Sequence, residues 1–408
     1  MYPMLKPALR RAWRGRNTVQ FGVTPAHAVT LGPVDIATGS FLELLDGTRG
    51  LPLLHEEARA LDLSDHHVDV LLRRLTEAGL LDDPRSAVPE SDVLRRRAEV
   101  MDRQRPDVAS LSVVRPEPGG GLRRMAARRA MRVQVRGAGR VGASIASVLS
   151  GAGVGQVEVL DGGRTEPWDV APGGLPPESV GERRDVAARR LVRRSAPGPA
   201  PRRARTGERG GADSTGAGLA GAGLAGAGPA GAGLAGSAGQ PPGLSLIIVA
   251  PRDGLAVYAP VVDTAGPWIA SGTPHLYAGV IEATGVVGPL VLPGGTGCAG
   301  CLELHRADRD PQWPRMLAQW RSGRRGAVPA CDLGLATAVA GLAAAHALAF
   351  LDGDLPACTG ARWEAALPLL DWRSEQIGPH ADCSCGAAAG AGRERASGAV
   401  PAQDTMAG

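Results

Sequence analysis

Lysine and aromatic residues are scarce in this chain of 408 residues, which contains one lysine, Lys6, and only 3% Phe, Trp and Tyr. The chain also has no large excess of charge of one sign, since 45 basic residues nearly balance 41 acidic ones. This balance argues against a nucleic-acid partner. The first residues lack the continuous apolar core of a secretion signal, so we expect a cytoplasmic protein.

Long apolar runs are almost absent as well, with one exception at residues 334–351, "GLATAVAGLAAAHALAFL". Its length raises the alternative of a membrane span. Alanine and glycine dominate the run, His346 lies inside it and Asp332 lies just before it. These features favour a buried helix, so no membrane partner is expected.

Residues 1–85 are predicted to form a small winged-helix-like α+β domain. Two alternating runs within 18–31 suggest a hairpin. Two segments with helical spacing follow, and a third helix begins after Ser64 and ends near Gly79. Residues 86–130 are interpreted as a charged helix and connector.

Residues 131–386 show the strand–helix order of a doubly wound α/β sheet. The stretch "MRVQVRGAGRVG" opens this pattern, which a Gly/Ala-rich insert at 195–243 interrupts with repeats of GAGLA. Such a composition cannot bury enough apolar surface to order itself, so the insert is interpreted as a solvated loop. The tail at 387–408 is expected to be disordered for the same reason.

The glycines of this stretch have the spacing of a phosphate-binding turn. Gly137 permits the tight bend, Gly139 lets a phosphate approach the backbone, and Gly142 allows close packing of helix and strand. Asp161 follows about 20 residues later, at the end of the next strand, where a carboxylate binds ribose hydroxyls. The sequence therefore predicts a nucleotide-type fold, without showing that a nucleotide binds.

Cysteines form two close pairs that are far apart in the chain, a CxxC and a CxC. Paired thiolates favour a tetrahedral zinc site of structural type, and buried free thiols are the alternative. His380 could replace one cysteine as ligand. The predicted ligands are Cys298, Cys301, Cys383 and Cys385.

The run "GAGRVGASIASVLSGAGVGQVEVLD" resembles the ThiF/MoeB superfamily of adenylating enzymes, as do "SVGERRDVAARRL" and "PACDLGLATAVAGLAAAHALAFLDG". The resemblance implies a Rossmann-like sheet of ThiF type that binds ATP, with Arg184 at the position of the family's lysine. It makes Asp253 a candidate magnesium-side aspartate and Cys331 a candidate reactive thiol, activated by a helix N-terminus. The interpretation favoured for Cys331 is nevertheless a small buried residue, with the reactive thiol as the alternative.

The family's adenylation motif is altered here. Gly163 stands in place of the second aspartate, Asp169 in place of the asparagine and Pro172 in place of the phosphate-binding arginine. A proline side chain cannot bind phosphate. The adenylation site is therefore interpreted as degraded, and it remains open whether ATP binds.

"DVAPGGL", "GVGQVEVLD" and "CAGCLELHRADRDPQWPRMLAQ" are similar to ThiF-like cyclodehydratase partner proteins of azole and azoline peptide biosynthesis. "TVQFGV", "LELLDGTRG" and "LLRRLTEAGLLDD" resemble PqqD-like peptide-recognition domains. The resemblance implies binding of a precursor leader peptide, with a separate YcaO-type cyclodehydratase using the ATP, and a homodimer. The alternative is an active adenylyltransferase that activates the C-terminus of a ubiquitin-like or sulfur-carrier protein.

Overall fold

A computed structural model describes residues 1–85, 98–198, 243–323 and 328–389. Its strands are β1 Met4–Leu5, β2 Arg11–Gly15, β3 Thr18–Phe21, β4 Val29–Leu31, β5 Leu81–Asp82, β6 Arg132–Arg136, β7 Gln156–Leu160, β8 Leu246–Val249, β9 His275–Ile281, β10 Thr284–Val291, β11 Ala361–Ala366 and β12 Arg373–Gln376. Its helices are α1 Ile36–Leu44, α2 Leu51–Ala60, α3 Asp65–Glu77, α4 Ala98–Val114, α5 Gly120–Arg128, α6 Arg140–Gly151, α7 Arg184–Ser195, α8 Leu255–Tyr258, α9 Val262–Ala270, α10 Ala299–Arg309, α11 Trp313–Ser322 and α12 Leu333–Leu351.

The N-terminal part is a small α+β unit around its own apolar core. β3 and β4 pair as the predicted hairpin, and β2 adds a third antiparallel strand that the sequence did not predict. The three helices pack their apolar faces together, with Phe41, Leu54 and Leu75 fully buried. Ser64 caps α3 as predicted, accepting the N–H of His67 at 3.2 Å.

The described part of the predicted connector, residues 98–130, contains two helices that pack on one another, α4 and α5. Lys6 Nζ donates to Arg115 O at 2.7 Å, and Gly119 N–H donates to Asp82 Oδ1 at 2.6 Å. Arg128 on α5 forms a buried ion pair with Asp352, at 2.6 Å between Nη2 and Oδ2. These contacts tie the segment to the units on both sides.

A mixed sheet of seven strands forms the centre of the second unit, in the order β12-β11-β10-β9-β8-β6-β7. β7, β6, β8 and β9 are parallel neighbours, as in the predicted Rossmann-like pattern. β10, β11 and β12 continue the sheet in antiparallel fashion, so only half of it is of the doubly wound type.

The long apolar run forms α12, which packs against α6, β9 and β10. Leu335, Val339, Ala343 and Ala347 repeat at helical spacing and are buried in the main core. Among the described residues, α12 is the one helix long and apolar enough to cross a membrane. One face of α12 is buried, as in a core helix, and the opposite face is exposed.

Two predictions fall largely outside the described residues. Of the insert at 195–243, only 195–198 and 243 are described, and of the tail at 387–408 only 387–389. The interpretation of both as solvated, disordered segments therefore stays a prediction.

Candidate functional site

The glycine turn lies between β6 and α6, where the sequence predicts it. Gly137 has a φ of +113°, and a Cβ atom built there would lie 2.0 Å from Ala250 O. A Cβ atom on Gly142 would lie 2.2 Å from Gly137 O, so α6 can begin this close to the turn only with glycine at this position. Gly139 is the N-cap of α6 and offers no side chain to its first N–H groups. This is the backbone geometry of an anion-binding helix start.

Asp161 follows β7 beside this turn, and its carboxylate is bound by the protein itself. Oδ2 accepts the N–H of Ala138 at 2.9 Å, and Oδ1 accepts the N–H of Gly163 at 2.9 Å. Oδ1 also accepts Arg184 Nε at 2.8 Å. Since a carboxylate offers about four acceptor positions, little capacity remains for a ribose hydroxyl.

Arg184 begins α7, and its guanidinium lies over Gly163. A Cβ atom at Gly163 would be 2.0 Å from Arg184 Nη2, so the glycine leaves the space that the arginine fills. Arg184 Nη1 also contacts Arg164 O and lies 3.4 Å from Asp169 Oδ2. Arg184 is thus held between the carboxylates of Asp161 and Asp169, whose side chains are 9% and 3% exposed.

Arg252 is a further site residue, which the sequence analysis missed. Its side chain lies over the helix start, because a Cβ atom on Gly139 would meet Arg252 Cγ at 2.7 Å. Arg252 Nε lies 2.8 Å from Asp169 Oδ1, and its Nη2 pairs with Glu166. Its position just after β8, at the carboxyl edge of the parallel strands, is the one sequence signal that could have indicated it.

These side chains form a chain of alternating charges in front of the glycine turn. Its members, in order, are Asp161, Arg184, Asp169, Arg252 and Glu166. Asp169 is at its centre, and this carboxylate is only 3% exposed. Each of the two cations therefore lies between two carboxylates, and the five side chains together carry a formal charge of −1.

A cavity of about 800 Å³ opens next to this chain at the carboxyl ends of β6, β7 and β8. This volume is in the range of small-molecule sites. Arg136 stacks on Trp268 at its wall, with 4.8 Å from the guanidinium carbon to the ring centroid. Asp253, the candidate magnesium-side residue, lines the same cavity and accepts the N–H of Leu255 at 3.0 Å.

Cys331 lies in a smaller, adjacent cavity of about 100 Å³, which Arg140 and Asp169 also line. Burial raises the pKa of its thiol, although Arg140 acts in the opposite direction. Asp332 instead takes the N-cap position of α12, accepting the N–H of Leu335 at 3.0 Å. The carboxylate of Asp332 occupies the N-terminus of this helix, so the geometry favours the interpretation of Cys331 as a small buried residue. Whether its thiol is reactive stays a prediction.

The four paired cysteines converge in space. Sγ of Cys298 lies 3.9 Å from that of Cys301 and 3.6 Å from that of Cys383, and the Sγ atoms of Cys301 and Cys385 are 3.6 Å apart. A tetrahedral zinc with Zn–S bonds of about 2.3 Å requires edges of about 3.8 Å. The hydrogen bond between Cys298 and Cys301 lowers the pKa of the Cys301 thiol and raises that of the Cys298 thiol, which burial raises further. The cluster could hold a metal ion.

His380 lies beside the thiols, but its ring is engaged elsewhere. Its Nδ1 accepts the N–H of Asp382 at 3.1 Å, and its Nε2 lies 2.8 Å from Asp308 Oδ2. Its backbone N–H donates to Cys301 Sγ at 3.3 Å. This arrangement favours four cysteines over three cysteines and the histidine.

The glycine turn, the half-parallel sheet and the order of the elements define a Rossmann-like α/β protein of ThiF type. Residues 117–206 match the model of the ThiF family. The chain therefore contains a ThiF-family domain in this region. No curated protein matches it in sequence.

Solved structures share its fold over nearly the whole chain. Escherichia coli MccB with MccA-N7isoASN has a TM-score of 0.63 at 13% identity, over 95% of this chain and 100% of that one. E. coli MccB with ATP has a TM-score of 0.62 at 14% identity, over 94% and 99%. Selenomethionine PaaA has a TM-score of 0.61 at 15% identity, over 92% and 100%. At such identities the likeness shows the fold alone.

Proposed function

We propose that this protein binds a precursor peptide through its leader and presents it to a YcaO-type cyclodehydratase in cytoplasmic modified-peptide biosynthesis. Residues 1–85 form the PqqD-like recognition domain in this proposal, and residues 131–386 form a ThiF-like domain that does not adenylate. The cyclodehydratase, not this chain, uses the ATP.

The observation that carries the proposal is the chain of ion pairs in front of the glycine turn. Adenylation needs cations that are free to meet the transferring phosphates. Arg184 and Arg252 are here bound to the carboxylates of Asp161, Asp169 and Glu166. Pro172 supplies no cation where the family has its arginine. Losing one such contact costs about 3 kcal/mol of transition-state stabilisation, or roughly a hundredfold in rate.

Support for a peptide partner comes from the N-terminal unit. Its three-stranded sheet has edge strands, and an edge strand can take an extended peptide as an added strand. MccB, described as the microcin C7 biosynthetic enzyme, shares the fold over 95% of this chain and was crystallised with N-formylated MccA. A comparable peptide role for this chain follows by analogy.

We further propose that Cys298, Cys301, Cys383 and Cys385 hold one zinc ion. Four protein ligands leave no open position, so the metal would be structural and would close the loop after β12 onto α10. The proposed homodimer rests on the resemblance to ThiF-like proteins.

An active adenylyltransferase, activating the C-terminus of a ubiquitin-like or sulfur-carrier protein, is the second candidate. The intact glycine turn and the cavity of about 800 Å³ favour it. E. coli MccB, with the same fold, was crystallised with ATP. In this case Gly137, Gly139, Gly142, Asp161 and Arg184 would bind the nucleotide.

Binding of a precursor peptide, to be sought among the short reading frames next to this chain's gene, tests the proposal. The labelled precursor, and the same peptide with its leader removed, are titrated with the full-length protein by fluorescence anisotropy. We expect leader-dependent binding. Equal binding of both peptides, or binding of neither, would contradict the proposed function.

A further inference from the structure

The loop after β12 carries Cys383 and Cys385 back to the start of α10, where the other two cysteines lie. It passes this helix start at close range, because a Cβ atom on Gly297 would lie 2.3 Å from Ile377 O. Ile377 is buried and packs in the same apolar cluster as Cys301. The loop therefore docks on α10 before it reaches its own cysteines.

His380 lies in this loop, and four of its groups make contacts. Its ring Nε2 lies 2.8 Å from Asp308 Oδ2 of α10, and its ring Nδ1 accepts the N–H of Asp382 at 3.1 Å. Its main-chain N–H donates to Cys301 Sγ at 3.3 Å, and its C=O accepts the N–H of Cys383 at 3.1 Å. One buried residue thus links the loop, α10 and the thiol cluster.

The contacts of this ring determine where its proton lies. A neutral imidazole has one nitrogen that donates and one that accepts. Because Nδ1 of His380 accepts the N–H of Asp382, the proton is on Nε2, and the ring donates to Asp308.

His305, Asp308 and His380 are close enough together to hold a second metal ion. A histidine that binds a metal through one ring nitrogen normally donates a proton from the other. The second nitrogen of His380 faces the N–H of Asp382, which is itself a donor. The geometry therefore favours a hydrogen bond from His380 to Asp308 over a second metal site.

A further contact holds the same loop on the same face of α10. His305 Nε2 lies 3.0 Å from Gly378 O, and its ring makes a T-shaped contact with His380, with 4.8 Å between the ring centroids. His305 and Asp308 are three residues apart on the helix, so they share one face. We name His305, Asp308 and His380 the α10 clamp.

The position of the loop matters for metal binding. A site binds more tightly when its ligands are ordered in advance, because binding then does not have to order them. The N–H that His380 directs at Cys301 Sγ also stabilises the negative charge of a thiolate, since hydrogen bonds to ionised acceptors are the stronger ones. Outer contacts of this kind change metal affinity although they do not touch the metal.

We propose that the α10 clamp positions the CxC loop, through the hydrogen bond from His380 to Asp308, so that the four cysteines are assembled for one metal ion. His380 acts through Cys301 and Cys383 and is not itself a ligand. The inference rests on the proposed zinc site and adds to it the residues that determine how tightly the zinc is held.

The test compares the zinc affinity of full-length variants, measured by competition with a chromophoric chelator at neutral pH. Asp308→Ala removes the acceptor, and Asp308→Asn keeps an oxygen that accepts the proton of His380 Nε2. Asp371→Ala is the matched control, because its carboxylate is 64% exposed, against 65% for Asp308, and pairs with Arg373. Melting curves establish that each variant is folded.

We expect Asp308→Ala to bind zinc about tenfold to a hundredfold more weakly than wild type, as for the loss of other outer contacts of metal sites. Asp308→Asn should recover most of this loss, and the Asp371→Ala control should bind zinc like wild type. His380→Ala should show a similar loss. The double variant Asp308→Ala, His380→Ala should lose little more than either single variant, because both changes remove the same hydrogen bond.

Cobalt bound in place of zinc reports the ligands themselves. Its absorption spectrum should be the same in wild type, Asp308→Ala and His380→Ala, because the four thiolates remain. A changed spectrum in His380→Ala would show that His380 is a ligand and would overturn the inference. A second bound metal ion per chain, absent from Asp308→Ala, would show a second metal site instead.

Equal zinc affinity of wild type and Asp308→Ala would also overturn the inference while the zinc site stands. The same holds for an equal loss in the Asp371→Ala control, or for a loss in Asp308→Asn as large as that in Asp308→Ala. If wild type binds no zinc, the proposed zinc site itself fails, and the inference fails with it.

Discussion

Replacing Arg184 by alanine removes the cation that Asp161 and Asp169 share. The two carboxylates are 9% and 3% exposed, so neither can recover its full hydration in the folded protein. Breaking a buried ion pair by removing one partner destabilises by about 3–5 kcal/mol. Asp161 keeps two backbone N–H donors, and Asp169 keeps Arg252 and the N–H of Glu166. We therefore expect the low end of this range, about 3 kcal/mol.

Urea unfolding at neutral pH measures this loss directly, and thermal melting should show a fall of about 6–12 °C. Arg183→Ala is the matched control, because this neighbouring arginine is 62% exposed and pairs with Asp185. Exposed pairs contribute less than about 1 kcal/mol, so the control should melt close to wild type. Equal stability of Arg184→Ala and Arg183→Ala would refute the account of Arg184 as the shared partner of Asp161 and Asp169.

Gly142→Ala should lower the free energy of unfolding in urea by about 1–3 kcal/mol, because its Cβ would meet Gly137 O at 2.2 Å. Gly341→Ala, on the open face of α12, should leave this free energy unchanged or raise it. Equal effects of these two substitutions would contradict the close approach of α6 to the turn. Metal analysis should find one zinc per chain. This zinc should be retained in Cys331→Ser and lost in the double variant Cys298→Ser, Cys301→Ser. Zinc retained by the double variant would refute the ligand assignment. Cys331 should react with iodoacetamide more slowly than a free cysteine at pH 7, and faster as the pH rises, because burial raises its pKa. Peptide mapping by mass spectrometry follows this reaction, and rapid labelling at pH 7 would show an activated thiol.

The sequence predicted those elements whose apolar residues repeat with a clear period. α3, α6 and the parallel strands β6, β7 and β8 belong to this group. β2 was missed because "RAWRG" is exposed throughout and has no alternating pattern; its extended form depends on pairing with β3. The strands β9 and β10 are almost continuously buried, so their apolar runs do not alternate and give no clear strand signal.

The candidate site was predictable where spacing along the chain carries the information. The glycine turn and the cysteine pairs are of this kind. The structure brings the glycines of the turn close to one another, and at a separate place it brings the two cysteine pairs together. The contacts of Arg184 and Arg252 were not predictable, because both depend on how the irregular segment between β7 and α7 folds. This segment carries all three carboxylate partners, and Arg252 reaches it from the end of β8. Their pairing depends on how the sheet brings together the segments that follow β7 and β8.

ATP–pyrophosphate exchange tests the central claim most directly. The full-length protein is incubated with ATP, magnesium and labelled pyrophosphate, with and without the precursor peptide or a candidate carrier protein. The account predicts no exchange above a protein-free control under any of these conditions, because the cations of the site are bound to its own carboxylates. Robust exchange that depends on the C-terminus of an added protein would contradict the account and establish an active adenylyltransferase.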